Sequence, residues 1–195
     1  MIIYHIATKR SGHTWVGRMI KSWLPDAKYH DLENAPPARA VTPVNDGFMV
    51  FQLRDFLNWF ASYYTHQNKH NGYKIVKHYQ NMMQVFYHPN RLSDNTVRVY
   101  YDDFFCQKSY RESICNQLGG IYTERELDGV KNNGNGSSFD GMSYDGNAQE
   151  MDVLYRYQQV DPKIFTRIFT RFPIIYQMYK KTCTDPEKLR LCNVR

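Results

Sequence analysis

Long apolar runs are missing from this 195-residue chain. The N-terminal stretch Met1 to Ala7 is interrupted by Tyr4 and His5 and is too short for a signal-peptide core or a membrane span. The expectation is a soluble protein that stays in the cytoplasm and does not engage a membrane. Glycine and proline are scarce, 11 and 8 residues beside 42% hydrophobic residues, which excludes a collagenous, low-complexity or wholly disordered chain. Cysteine is scarcer still. Cys106, Cys115, Cys183 and Cys192 lack the two-residue gap of a zinc knuckle, so free thiols are expected and no metal. At this length a domain buries roughly 70% of the surface its unfolded chain exposes, so the core needs no covalent staple. Neither an internal repeat nor a heptad pattern is present. Acidic residues are outnumbered 19 to 25, a net charge of +6. That excess suits an anionic partner: nucleic acid, a nucleotide or an acidic acceptor.

Against these absences stands a repeated local pattern. A short β-prone run, Ile2 to Ala7, stops at a polar turn, Thr8 to Gly12, and Trp15, Val16, Met19, Ile20 and Trp23 then recur at helical spacing. Phe48 to Leu53 repeats the strand, Arg54 and Asp55 the turn, and Phe56, Trp59, Phe60, Tyr63 and Tyr64 the helix, with Asp55 as its N-cap. Thr96 to Tyr101 predicts a third strand, followed by one helix over about Phe104 to Leu118 that Gly119 and Gly120 end. A further helix is expected at Tyr73 to Tyr87, and a last helix pair over Ala148 to Lys181, broken near Asp161 and Pro162. Alternation of strands and helices predicts a single α/β domain over residues 1–181, its central, mostly parallel sheet covered by helices on both faces, with a polar tail over 182–195. Asp128 to Asn147, with five glycines, is the long loop and the candidate lid.

Two segments carry chemistry. In Thr8-Lys9-Arg10-Ser11-Gly12-His13-Thr14-Trp15, a loop between strand and helix aims backbone N–H groups and the positive end of a helix dipole at one point. Lys9 and Arg10 add charge, Gly12 permits close backbone approach, and Ser11 and Thr14 add hydroxyls. The segment departs from a Walker A loop, because His13 stands before Thr14 and no glycine occupies the first position, which disfavours an ordinary ATP or GTP hydrolase. In the second segment Arg54 ends its strand, where open α/β sheets bind ligands, and Ser62 lies two turns into the next helix. The abundant aromatics, 16 Tyr, 11 Phe and 3 Trp, would suit base stacking. Most fall at core spacing, so nucleic acid is not the expected partner.

Together the segments resemble the sulfotransferase family that uses 3'-phosphoadenosine 5'-phosphosulfate (PAPS), whose fold is a P-loop-like α/β architecture. Arg10, Ser11, Gly12, Thr14 and Trp15 match its 5'-phosphosulfate loop, and Arg54, Asp55, Ser62 and Tyr63 its 3'-phosphate motif. Phe56 replaces the usual proline, and His13 a usual Thr or Ser. Tyr101-Asp102-Asp103-Phe104 is a weaker match to a Tyr-Glu-Asp-Leu segment. Gly136, Ser137 and Ser138 look like the loop that closes over the 3'-phosphate. The resemblance implies transfer of a sulfuryl group from PAPS to an unidentified hydroxyl or amine acceptor, with 3',5'-adenosine diphosphate (PAP) as product. Lys9, Arg10, Ser11, Gly12, His13, Thr14, Trp15, Arg54, Ser62, Gly136, Ser137 and Ser138 would bind the nucleotide. Arg10 would stabilise the leaving oxygen, and His30 would take the acceptor proton, with Glu33 or Asp31 as the alternative base. The other readings are a nucleotide kinase-like phosphotransferase and a noncatalytic nucleotide- or nucleic-acid-binding module.

Overall fold

The computed structural model describes residues 1–66, 72–130 and 140–191. Four strands, β1 (Ile2–Ala7), β2 (Lys28–Glu33), β3 (Gly47–Leu53) and β4 (Thr96–Tyr100), form one sheet in the order β2-β1-β3-β4, with every pairing parallel. Parallel neighbours need crossovers, and α1 (His13–Trp23) supplies the first of them. The order reverses at β1, whose neighbours β2 and β3 lie on opposite sides. The loops leaving β1 and β3 therefore part at their C-terminal ends and open a crevice, the usual ligand position in such sheets.

Alternation along the strands divides the core in two. Ile3, Val50, Val97 and Val99 pack with Val16, Met19, Ile20 and Trp23 of α1 and with α4 (Tyr101–Cys106) and α5 (Lys108–Gln117). Ile6, Met49, Phe51 and Leu53 face the other layer: α2 (Phe56–His66), α3 (Tyr73–Phe86), α6 (Pro162–Arg171) and α7 (Pro173–Thr182). The last helix, α8 (Pro186–Leu191), brings Leu191 against this second layer.

Several boundaries differ from the sequence expectation. Lys28–Glu33, the stretch that holds the candidate bases His30, Asp31 and Glu33 and to which the sequence pattern assigns no element, is a strand. It has no apolar alternation to read, because Tyr29 packs on the α1 face and Leu32 on the opposite one, and the remaining positions are charged or His30. The expected helix 104–118 is two helices that meet at extended Gln107, and the first begins at Tyr101. Residues 148–160 form two 3-10 turns rather than α-helix, and Pro173, which cannot donate to the preceding turn, restarts the chain as α7. Asp55 does cap α2, its Oδ1 accepting from Asn58 N at 3.0 Å.

Candidate functional site

The turn after β1 is built so that its carbonyls are occupied from within the protein. Thr8 O accepts from Ser11 N (3.2 Å) and Ser11 Oγ (2.7 Å), Lys9 O from Trp59 Nε1 (2.8 Å), and Arg10 O from Arg54 Nη1 (3.2 Å). Ser11 O accepts from Gln52 Nε2 (2.7 Å), and Gly12 O from the N–H groups of Trp15 and Val16. With the carbonyls held, the backbone turns through left-handed Arg10 (φ 64°) and Gly12 (φ 80°) into α1, whose start has no side-chain cap. An uncapped first turn leaves N–H groups without an intrahelical acceptor, and successive outward N–H groups make an anion nest. A Cβ on Gly12 would stand 2.1 Å from the Tyr101 ring, so only glycine closes this wall.

Around the turn lies a cleft of about 170 Å³. That is below the few hundred Å³ of a typical whole-ligand pocket, so the cleft encloses the anionic ends of a ligand rather than the whole of one. Among the described residues four arginines line it, Arg10, Arg18, Arg54 and Arg156, against one carboxylate, Glu33. Arg54 is 2% exposed. It donates to Val153 O at 2.7 Å and to Ser62 Oγ at 3.3 Å, and its guanidinium lies 4.8 Å from the Tyr101 ring centre. Its buried Nε has no hydrogen-bond partner among the described residues. Arg156, 5% exposed, donates to Asp140 Oδ2 at 2.8 Å. Burial first and then the charge of Arg54 lower its pKa to about 10, and burial likewise lowers that of Arg10, with Glu33 opposing. Both still carry their charge at neutral pH. Two of the four arginines already have acidic partners, Arg156 in Asp140 and Arg18 in Glu126, so the demand for a further anion rests on buried Arg54.

The structure brings Arg10, Gly12, His13, Thr14, Trp15, Arg54 and Ser62 to this one cleft, although the last two follow the turn by some fifty residues. Ser11 lies beneath it, fully buried, and Lys9 is exposed beside it. Gly136, Ser137 and Ser138 lie outside the described residues. The flanks of their segment meet, since Gly146 N and Ala148 N both donate to Asp128 O, at 3.0 and 3.1 Å. His30 is not brought to the cleft. Tyr29 meets His5 and Asp31 meets His13 on the α1 face, so alternation turns His30 to the opposite face, where it stacks on Tyr4 at 5.2 Å. His13 lies between the two carboxylates, Nε2 3.2 Å from Asp31 Oδ2 and Nδ1 3.2 Å from Glu33 Oε1. Arg18 and Arg156 were not legible in the sequence. Arg18 sits one helical turn beyond Thr14, a spacing that signals a shared face, whereas Arg156 arrives through tertiary folding alone.

Behind Arg54, Asp55 Oδ2 accepts from Tyr179 Oη at 2.7 Å and lies 3.4 Å from Lys188 Nζ, while Asp102 Oδ2 accepts from Asp55 N at 2.7 Å. Burial, and secondarily the Asp55 carboxylate, raises the pKa of Asp102 to about 6. A carboxyl raised on folding binds its proton more tightly in the folded chain. Its contribution is therefore favourable below the usual carboxylate range and is lost as pH rises through about 6. Asp102→Asn keeps the acceptor for Asp55 N–H and removes the buried charge. Thermal melts at pH 7 are expected to show a gain of about 1–2 kcal/mol that disappears by pH 4. A loss at pH 7 would mean that Asp102 is net stabilising as a carboxylate.

Compared with protein-family models, curated proteins and solved structures, the chain gives no match. No helix among the described residues is long and apolar enough to cross a membrane, and those residues hold no cluster of three metal-ligating side chains.

Proposed function

We infer that the protein is a PAPS-dependent sulfotransferase of P-loop-like architecture. The observation that carries this reading is the convergence of two separated motifs on one cleft: Arg54 Nη1 touches the phosphate-loop carbonyl Arg10 O at 3.2 Å and Ser62 Oγ at 3.3 Å. A ligand with anionic groups at two positions suits such a paired site, and the unpartnered Arg54 Nε and the uncapped start of α1 supply donors for it. When bound, PAPS supplies an activated sulfuryl group whose departure leaves charge on the 5'-phosphate oxygen. Arg10 with the Gly12 to Thr14 N–H groups holds that end, and Arg54, Ser62 and Arg156 hold the 3'-phosphate. Arg10 keeps its proton, so it acts by fixed charge rather than as an acid. Glu33 is the carboxylate of the cleft and takes the acceptor proton in place of His30. The phosphotransferase reading loses ground, because a Walker loop needs a lysine where His13 stands, and that ring is tethered to Asp31 and Glu33.

Arg10→Ala tests the assignment. Its charge matters most when the leaving oxygen becomes negative, so turnover of PAPS to PAP is expected to fall by roughly 10²-fold or more, the scale of a lost transition-state donor, with a smaller loss of PAP affinity. Equal losses in turnover and affinity would make Arg10 a binding residue only.

A further inference from the structure

Beneath the phosphate loop, three adjacent strands carry one buried polar row on the α1 face: Tyr29 on β2, His5 on β1 and Gln52 on β3. His5 and Gln52 are fully buried. Tyr29 Oη meets His5 Nδ1, His5 Nε2 lies 2.8 Å from Gln52 Oε1, and Gln52 Nε2 lies 2.7 Å from Ser11 O and 3.4 Å from Ser11 Oγ. The chemistry of the groups fixes the direction of every bond. A carbonyl only accepts, so the Gln52 amide nitrogen faces Ser11 O and its oxygen faces His5. That oxygen requires a proton on Nε2, and neutral Nδ1 is then the acceptor for the Tyr29 hydroxyl. All three donors point toward the loop. Burial, foremost, keeps His5 neutral, with its pKa lowered to about 3.

We propose that Gln52 and His5, with Tyr29 behind them, are positioning residues of the phosphate loop. They draw the Ser11 carbonyl inward, and the Gly12, His13 and Thr14 N–H groups consequently face the cleft. These residues lie outside both phosphate motifs. The role rests on the nucleotide reading of the cleft, and it is specific to the 5' end, since Arg54 and Ser62 serve the other.

The test compares adenosine 5'-phosphate with adenosine 3'-phosphate as ligands, and follows backbone amide resonances of the ligand-free protein. Gln52→Glu replaces the donor to Ser11 O by an acceptor. It is expected to weaken adenosine 5'-phosphate about tenfold or more, the equivalent of one hydrogen bond, and adenosine 3'-phosphate less than twofold. The Gly12 to Thr14 amide signals should move while those of α6 stay. His5→Gln, whose amide can still donate to Gln52, should keep the binding that His5→Leu loses, and Tyr29→Phe is the mildest variant should the others fold poorly. Equal losses for the two ligands, or unmoved Gly12 to Thr14 amides, would overturn the proposal. If the unmodified chain bound neither ligand, the nucleotide reading would fail, while the amide signals would still decide whether Gln52 sets the loop.

Discussion

Arg54→Ala is expected to weaken PAP binding by about 100-fold and adenosine 5'-phosphate by only a few fold. The guanidinium supplies charged hydrogen bonds worth about 1.5–3 kcal/mol each, and two lost to a 3'-phosphate amount to about 3 kcal/mol. Adenosine 5'-phosphate lacks that group, so it feels only the loosening of the loop through the bond from Arg54 to Arg10 O. The variant also leaves Val153 O without its buried donor, and its melting temperature should fall. Affinities are therefore compared by calorimetry well below the transition. Equal losses for the two nucleotides would remove the 3'-phosphate role from Arg54.

The second large effect is acid sensitivity at His5. Burial, the nearby charge of His13 and that of Lys21 lower its pKa to about 3, with only the bond to Gln52 opposing. The unfolded chain binds a proton at its histidine from about pH 6.5 downward. Stability from neutral His5 is thus complete above about 6.5 and is lost as pH falls toward 3, by about 2 kcal/mol at pH 5. Asp102 runs the opposite way over part of this range, so the wild-type profile is a sum. The difference between wild type and His5→Gln isolates one residue: their stabilities should converge as pH drops from 7 to 5. Parallel curves would show that His5 is not held neutral in the folded chain.

How much of this was legible in the sequence differs from element to element. The β1 and β3 units were readable because each joins an apolar run to a polar turn and a helix of 3.6-residue period, and both segments that resemble phosphate-binding motifs lie within those local units. Strand β2 was not, since an edge strand with one half-solvated face carries charges where a buried strand carries Val or Ile. Missing that strand misplaced His30: proximity in sequence suggested the site, and alternation across the sheet sends the ring to the wrong face. Arg156 and the Tyr29, His5 and Gln52 row are products of long-range packing, for which one sequence holds no periodic signal.

Calorimetric titration of the ligand-free protein with PAP and with ATP, each with and without magnesium, tests the paired-anion site most directly. The expected result is tight PAP binding that needs no metal and weaker ATP binding under both conditions. At one hundred times its dissociation constant, PAP should also stabilise the fold by about 2.7 kcal/mol. Binding of ATP that depends on magnesium and exceeds that of PAP would contradict the sulfotransferase reading and favour phosphoryl transfer.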